Sequence, residues 1–204
     1  MANRDDRPEK RRSIGARRNP ATEAAVLAAA REILAEHGFA GFSIDGVARR
    51  AGAGKPTIYR WWPSRADLLL DVCLSERSSR LEEPATGTLA GDLATLARAS
   101  LAVWRTSPAG EALRGLVAEA QAGDAALLLL WERFAPAWLK PVRAAFGEAS
   151  RRREVDPADI DVLVEIFGAF LWARLLTGQI DDDRAAVERM ARILASGHGR
   201  RDTR

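Results

Sequence analysis

Apolar residues recur at helical spacing along most of this chain, and no run alternates with the period of two that is typical of strands. The first helix is predicted to begin at Asn19-Pro20 and to end at Gly38, because these residue types favour those positions. Its apolar face comprises Val26, Leu27, Ala30, Ile33 and Leu34. Further stripes predict helices over residues 64–80, 88–104, 107–122, 124–153, 156–177 and 184–197. Pro136 and Pro141 are expected to kink or interrupt the helix over 124–153.

Between residues 40 and 69 the pattern changes to two short helices joined by a glycine turn. Ser43 is suited to cap the first, whose apolar stripe comprises Ile44, Val47, Ala48 and Ala51. Gly52 permits the left-handed turn that ends this helix, and Pro56 suits the opening of the second. Ile58 and Trp62 lie four residues apart and are expected to face inward. This arrangement predicts a helix-turn-helix, which places one helix in a DNA major groove.

The outward side of the second short helix combines cationic, hydroxyl and aromatic side chains: Lys55, Thr57, Tyr59, Arg60 and Trp61. Lys can donate to guanine, Thr can contact a thymine methyl, and Tyr, Lys and Arg can bind phosphates. Arg65, at the start of the next helix, is also placed for a phosphate. Two alternatives remain open at this point, since Thr57 can simply cap its helix and Trp61 can cover the small core.

This segment resembles the DNA-binding domain of the TetR family of transcriptional repressors. The matching pieces are HGF at 37–39, SIDGVA at 43–48, AGAGKPTIYRWW at 51–62 and SRADLL at 64–69. The resemblance implies that residues 55–60 lie in the recognition helix, with Lys55 as a base reader and Tyr59 as a phosphate contact. It further implies phosphate contacts from Ser43 and Arg65. The residue after Ser43 is often Thr in the family but is Ile44 here, which we assign to packing. The expected DNA-binding set is Ser43, Lys55, Pro56, Thr57, Tyr59, Arg60, Trp61 and Arg65.

Charge is unevenly distributed along the 204 residues, although the net charge is only +3. Residues 1–62 carry 12 Lys/Arg and 7 Asp/Glu, whereas the remainder is slightly acidic. A basic N-terminal part is typical of a DNA-binding domain that is followed by a domain with a different function. We therefore predict a disordered basic tail over 1–18, a helix-turn-helix domain over 19–64 and a helical ligand-binding and dimerisation domain over 65–198. The tail is either simply solvated or able to lie along DNA.

Chemistry that would indicate an enzyme or a metal site is not found in the sequence. Cys73 is the only cysteine, which excludes an intramolecular disulfide, and it lies on an apolar stripe that favours a buried thiol over a redox sensor. His37 and His198 have no partner at metal-ligand spacing. No phosphate-binding glycine loop or Gly-x-Ser-x-Gly motif occurs. We expect no catalytic residue, metal or cofactor.

The sequence also gives no sign of membrane association. No apolar run approaches the ~18 residues of a membrane span. The charged N-terminal stretch is not followed by the hydrophobic segment of a secretory signal. A cytoplasmic location, without a membrane partner, is therefore expected.

Large aromatic residues concentrate in the second half of the chain, where they indicate either a solid core or a ligand cavity. The family resemblance implies that an inducer is enclosed among the middle helices. The expected ligand-binding residues are Trp104, Leu116, Glu119, Trp131, Phe134, Trp138 and Phe170. Glu119 is the one charged candidate, for a cationic or hydroxylated ligand, and the alternative for it is a solvent-exposed position.

The last two helices carry more apolar residues than one buried face needs. The family pairs these helices with their copies as a four-helix bundle, so we predict a two-fold homodimer. Its expected interface residues are Leu163, Phe167, Leu171, Val187, Met190 and Leu194. A dimer would place two recognition helices on successive major-groove turns of double-stranded DNA, about 34–36 Å apart, which implies a palindromic operator.

The function predicted from the sequence is a ligand-responsive repressor that binds its operator as a homodimer and is released by a small-molecule effector. One alternative is a DNA-binding regulator without small-molecule input. A second is an enzyme on a helical fold, for which the helix-turn-helix would be incidental.

Overall fold

The computed structural model describes residues 19–78, 84–121, 127–181 and 183–196, and within these ranges every regular element is helical. The described elements include nine α-helices: α1 (Pro20–Gly41), α2 (Ile44–Ala51), α3 (Lys55–Trp61), α4 (Arg65–Ser78), α5 (Leu89–Thr106), α6 (Ala109–Ala120), α7 (Ala135–Arg151), α8 (Ile160–Thr177) and α9 (Arg184–Ser196). The predicted all-α fold is confirmed. The predicted tail over 1–18 lies outside the described residues. None of the described helices is long and apolar enough to cross a membrane.

Most helix ends fall where capping residues predict them. The Asn19 side chain accepts the backbone N–H of Ala21 at 3.0 Å, and Pro20 follows in the first turn. Gly38 breaks the regular helix with φ of 65°, although helical geometry continues to Gly41. At the other end of the chain, α8 stops at Gly178, which adopts the left-handed conformation with φ of 74°. Glycine is favoured there because a Cβ atom is strained at positive φ.

The helix predicted over 124–153 differs from expectation in its first half. A π-helical segment, Leu129–Phe134, leads directly into α7. Pro136 lies in the first turn of α7, directly after the π-helical segment. Pro141 lies inside α7 without ending the helix, so the prediction that it interrupts this helix is wrong. The irregular backbone instead precedes the first proline.

One continuous apolar core joins the N-terminal helices to the rest of the protein. We call α1–α3 the head and α5–α9 together with the π-helical segment the body. The helix between them, α4, contacts α1 on one side and α5, α6, α7 and the π-helical segment on the other. Leu68, Leu69 and Leu70 on this helix are all buried, so its consecutive apolar residues pack in both directions. The orientation of the head is consequently tied to the packing around α4.

A second junction connects the head to α6. The backbone N–H of Phe39 donates to Oε1 of Glu111 at 2.9 Å, which satisfies a donor at the Gly38 break. A Cβ atom at Gly115 would lie 2.4 Å from the Phe39 ring, so only glycine allows this approach. The ring also lies 4.2 Å beneath the Arg65 guanidinium. Phe39 thus acts as the contact point between α1 and α6.

Cys73 generates the first prediction. It is completely buried, its Sγ lies 3.6 Å from the carbonyl oxygen of Ala109, and burial raises the pKa of its thiol to about 12. We expect iodoacetamide to leave Cys73 unmodified in the native protein at about pH 9, above the usual pKa of a free thiol. Mass spectrometry should show modification only after unfolding in urea. Rapid labelling of the folded protein would contradict the buried placement.

Candidate nucleic-acid interface and effector region

Local backbone signals build the turn between α2 and α3. The Ser43 Oγ accepts the N–H of Gly46 at 3.2 Å and starts α2. Gly52 ends this helix in the left-handed conformation, with φ of 61°. Within and after α3, Ile58 and Trp62 are fully buried, which fixes the rotation of the helix about its axis. The opposite side of α3 is therefore held outward by the packing of its inner side.

The structure exposes five of the eight predicted DNA-binding residues, namely Ser43, Lys55, Pro56, Tyr59 and Arg60. The Tyr59 side chain is 48% exposed, and Tyr59 is one of the few large hydrophobic residues that are exposed in the described part of the chain. Thr57 and Trp61 are half-buried. The Trp61 ring packs edge-on against Trp62, with ring centres 5.8 Å apart, so it covers the small core as well as facing solvent.

Two cations near this surface are already paired within the head. The Lys55 Nζ lies 2.7 Å from the carboxylate of Asp45 on α2, a partner that the sequence analysis did not assign. Arg50 pairs with Glu36 at 2.7 Å and thereby lowers the pKa of that carboxyl. Both pairs are exposed, and exposed pairs contribute only about 0–1 kcal/mol to stability. Lys55 can therefore exchange Asp45 for an acceptor on DNA at little cost.

Arg65 and Glu119, which were predicted in two different sites, contact each other. The structure brings these two residues together at 3.1 Å, with the Arg65 guanidinium against Phe39 and the Glu119 carboxylate on the exposed side of α6. The start of α4 packs beside α6, and this places the Arg65 guanidinium between Phe39 and Glu119. Glu119 has the solvent-exposed position that was the alternative to a place in the ligand cavity.

Two parts of the chain match the sequence profiles of known protein domains. Residues 26–72 match the sequence profile of bacterial regulatory proteins of the tetR family, and residues 83–194 match the profile of the tetracyclin repressor-like C-terminal domain. The chain belongs to the TetR family. It is a DNA-binding transcriptional regulator built from an N-terminal helix-turn-helix domain and a C-terminal helical domain.

Relatives of this TetR-family regulator extend over most of its length. It is 31% identical to the uncharacterized HTH-type transcriptional regulator YdeS of Bacillus subtilis, over 83% of this chain and 86% of that protein. It is 32% identical to the HTH-type transcriptional regulator EthR of Mycobacterium tuberculosis, over 66% of this chain and 64% of that protein. The crystal structure of the TetR family transcription regulator SCO0332 superposes with a TM-score of 0.75 at 29% identity, covering 86% of this chain and 97% of SCO0332.

The predicted effector residues separate into two groups in the structure. Trp104, Phe134 and Trp138 line one small internal void of about 10 Å³, together with Trp172, which the prediction omitted. The other four do not line it: Leu116 is packed in the core, Glu119 pairs with Arg65, Trp131 is 60% exposed and borders an open groove between α7 and α8, and Phe170 lies beneath Arg174. Sequence spacing could not separate these groups, because each of these aromatic residues lies on a helix with several apolar sides.

The predicted dimer residues are not the exposed apolar residues of the last two helices. Leu163, Phe167, Leu171, Val187, Met190 and Leu194 are all buried within the single chain. They lie where α8 meets α7 and α5 and where α9 meets α5, and Met190 and Leu194 also border an open groove with Ile166 and Ile193. The exposed large apolar residues of these helices are Val162, Ile166 and Leu176 on α8 and Ile193 on α9. The row of α8 that contains Val162 and Ile166 is as apolar as the row of Leu163, Phe167 and Leu171. Only packing shows which of the two rows remains at the surface.

The Lys55–Asp45 pair generates the second prediction. Replacing Asp45 with Asn should free Lys55 and remove a negative charge beside the DNA surface. We expect DNA affinity to rise by about twofold to fivefold, the value of an exposed ion pair. Fluorescence anisotropy with a labelled duplex from the DNA upstream of the gene measures this change. Asp181→Asn is the control: it changes the net charge by the same amount at an exposed position of the body and should leave DNA affinity unaltered. Weaker binding by Asp45→Asn would show that the pair instead orients Lys55 for DNA.

Proposed function

We propose that this TetR-family regulator is a repressor that binds a palindromic operator as a homodimer and is released by a small-molecule effector. The observation that carries the proposal is the exposed side of α3, which presents Lys55, Tyr59 and Arg60 from a helix anchored by buried Ile58 and Trp62. Residues 19–64 are the proposed DNA-binding domain and residues 65–198 the proposed ligand-binding and dimerisation domain.

In the proposed complex α3 enters the major groove. Lys55, at the first position of the helix, donates to a guanine edge, and Thr57 and Pro56 lie beside it for contacts with thymine methyl groups. Tyr59, Arg60 and Ser43 bind phosphates, which position the helix without reading sequence. The Arg-rich residues 1–18 add a non-specific electrostatic attraction to the DNA backbone.

The proposed dimer is formed by the exposed apolar row of Val162, Ile166 and Ile193 on α8 and α9. A two-fold axis through this row would bring each side chain against the same surface of the second copy. Three large apolar side chains on adjacent helices make this surface better suited to a partner than to solvent. The two heads would then face one DNA duplex, which is the basis for proposing a palindromic operator.

Release by an effector requires a route from the body to the head, and the π-helical segment offers one. Phe134 at its end lines the internal void, and the neighbouring Arg133 binds Asp71 and, at 2.8 Å, Asp67 on α4. Asp71 in turn accepts the indole N–H of Trp62 at 2.7 Å. An effector that displaces Phe134 would move Arg133, α4 and the end of α3. Coupling between two sites is usually worth about 1–3 kcal/mol.

A regulator without small-molecule input is the second candidate. The observation in its favour is the size of the void, which at about 10 Å³ holds at most one water molecule in this conformation. Repression is proposed over activation because a protein bound at a promoter blocks polymerase by occupancy alone, whereas activation requires a further contact surface.

Two variants of the recognition helix test DNA binding. Lys55→Ala removes the proposed base contact and should weaken binding to the upstream duplex by about tenfold to a hundredfold, with little effect on a scrambled duplex. Tyr59→Phe removes a phosphate contact and should weaken binding to both duplexes. Fluorescence anisotropy across a salt series measures both effects, and Lys140→Ala, an exposed residue of α7, is the matched control. Unchanged affinity in both variants would overturn the assignment of α3 as the recognition helix.

Ile166→Glu and Ile193→Glu test the dimer. A buried carboxylate without a partner destabilises an apolar interface, so each variant should shift the protein from dimer to monomer at micromolar concentration. Sedimentation velocity gives the oligomeric state, and circular dichroism checks that the helices remain folded. Ala144→Glu introduces the same charge on α7, outside this row, and should remain dimeric. A monomeric parent protein would refute the dimer directly.

A further inference from the structure

Three buried polar groups without hydrogen-bond partners lie where α4 packs against the body. The Nε of Arg77 and the indole Nε1 atoms of Trp104 and Trp138 are buried and have no acceptor within reach. These residues are only 8%, 4% and 3% exposed. Buried polar atoms in proteins are nearly always paired, so three unpaired donors in one region require an explanation.

The three groups are neighbours. The Arg77 guanidinium carbon lies 5.1 Å from the ring centre of Trp138, and the rings of Trp138 and Trp104 stack with centres 5.4 Å apart and an interplanar angle of 15°. Guanidinium and indole nitrogens only donate hydrogen bonds, so the three cannot satisfy one another. The cluster therefore lacks an acceptor.

The charge of Arg77 strengthens this asymmetry. Burial lowers the pKa of its guanidinium to about 10, and the group remains a cation at neutral pH. Its neighbour in sequence, Glu76, pairs with Arg31 at 2.5 Å. Within the described part of the chain, no carboxylate forms an ion pair with Arg77. A buried cation without a counter-ion is costly, and an anion in contact with it would remove that cost.

A path leads from this cluster towards the surface. Trp104 and Trp138 line the internal void described above. An open groove of about 580 Å³ between α7 and α8 shares four of the void's wall residues, which are Ala135, Leu139, Gly168 and Trp172. The void holds no organic molecule in this conformation, so entry requires these walls to separate. The π-helical segment adjoins them, and such segments are frequent at functional sites.

We propose that the effector is an organic acid with an apolar or aromatic body, whose carboxylate binds to Arg77 and to the indole N–H groups of Trp104 and Trp138. Its apolar part occupies the space between α7 and α8 that opens from the void into the groove. This assignment of a ligand class rests on the proposed function, because it identifies the effector site of a ligand-responsive regulator. The stacked indoles provide apolar walls, and the unpaired donors provide the anion selectivity.

Matched ligand pairs test the chemistry directly. The probes are 1-naphthaleneacetate and decanoate, each compared with its own primary amide, which keeps the shape and removes the charge. Isothermal titration calorimetry on the full chain should show that at least one acid binds about tenfold or more tightly than its amide, as expected for a charge-assisted hydrogen bond. If neither acid binds more tightly than its amide, the proposal is overturned.

Variants of Arg77 connect the binding to the cluster. Arg77→Met should abolish the preference for the acid and also raise the Tm of the ligand-free protein, because it removes an unpaired buried charge. Trp138→Phe keeps the ring, loses one donor and should weaken the acid more than the amide. Arg174→Met is the matched control, since Arg174 also lies over an aromatic ring, 4.8 Å from Phe170, but has Asp183 as a partner at 3.3 Å. Acid binding that survives Arg77→Met would refute the site.

DNA binding is measured on the same protein so that the two proposals can fail separately. Acid binding lost in Arg77→Met, together with acid-dependent release of the upstream duplex in the parent protein, supports both. Acid binding without any specific DNA binding supports the carboxylate site and contradicts the proposed function. DNA binding with no preference for acid over amide supports the regulator and overturns the carboxylate site.

Discussion

The hydrogen bond between the indole N–H of Trp62 and the carboxylate of Asp71 is the interaction on which the placement of α3 depends. This carboxylate accepts the indole N–H of Trp62, at the end of α3, and also binds Arg133 of the body. A buried indole usually finds an acceptor for its N–H, and α4 supplies this carboxylate to Trp62 in the core of the head. Asp71 thus links the packing of the head to the position of α4 and to the conformation of the π-helical segment.

Neighbouring residues of the π-helical segment point in different directions. Arg133 reaches the acidic side of α4, whereas the next residue, Phe134, faces inward and stacks on Trp138 with ring centres 5.3 Å apart. A π-helical turn is a poorer arrangement of backbone hydrogen bonds than an α-helical turn and persists where its surroundings require it. Two adjacent residues of this segment therefore contact α4, which supports the head, and the interior of the body.

Buried hydrogen-bond donors without acceptors mark positions in the body that lower the stability of the fold. Trp104 and Trp138 bury indole N–H groups without acceptors, while the rest of the described core is built of well-packed apolar side chains. Local departures from good packing or pairing are expected at functional positions rather than at random ones. At the α1–α6 junction, by contrast, Glu111 accepts the backbone N–H of Phe39, although the Nε of the neighbouring Arg65 is buried without a partner. The body thus combines a junction whose backbone donor is paired with an incompletely paired interior.

The sequence by itself determined the all-α fold, the helix-turn-helix and the inward positions of Ile58 and Trp62. These features depend on capping, glycine conformation and apolar periodicity, which act within a few residues. Only the tertiary structure decided that Arg65 turns towards Glu119, 54 residues away, and which apolar row of α8 is buried. Such choices depend on helices that meet only after folding, and similar residue types on several sides of one helix cannot encode which side faces a neighbour.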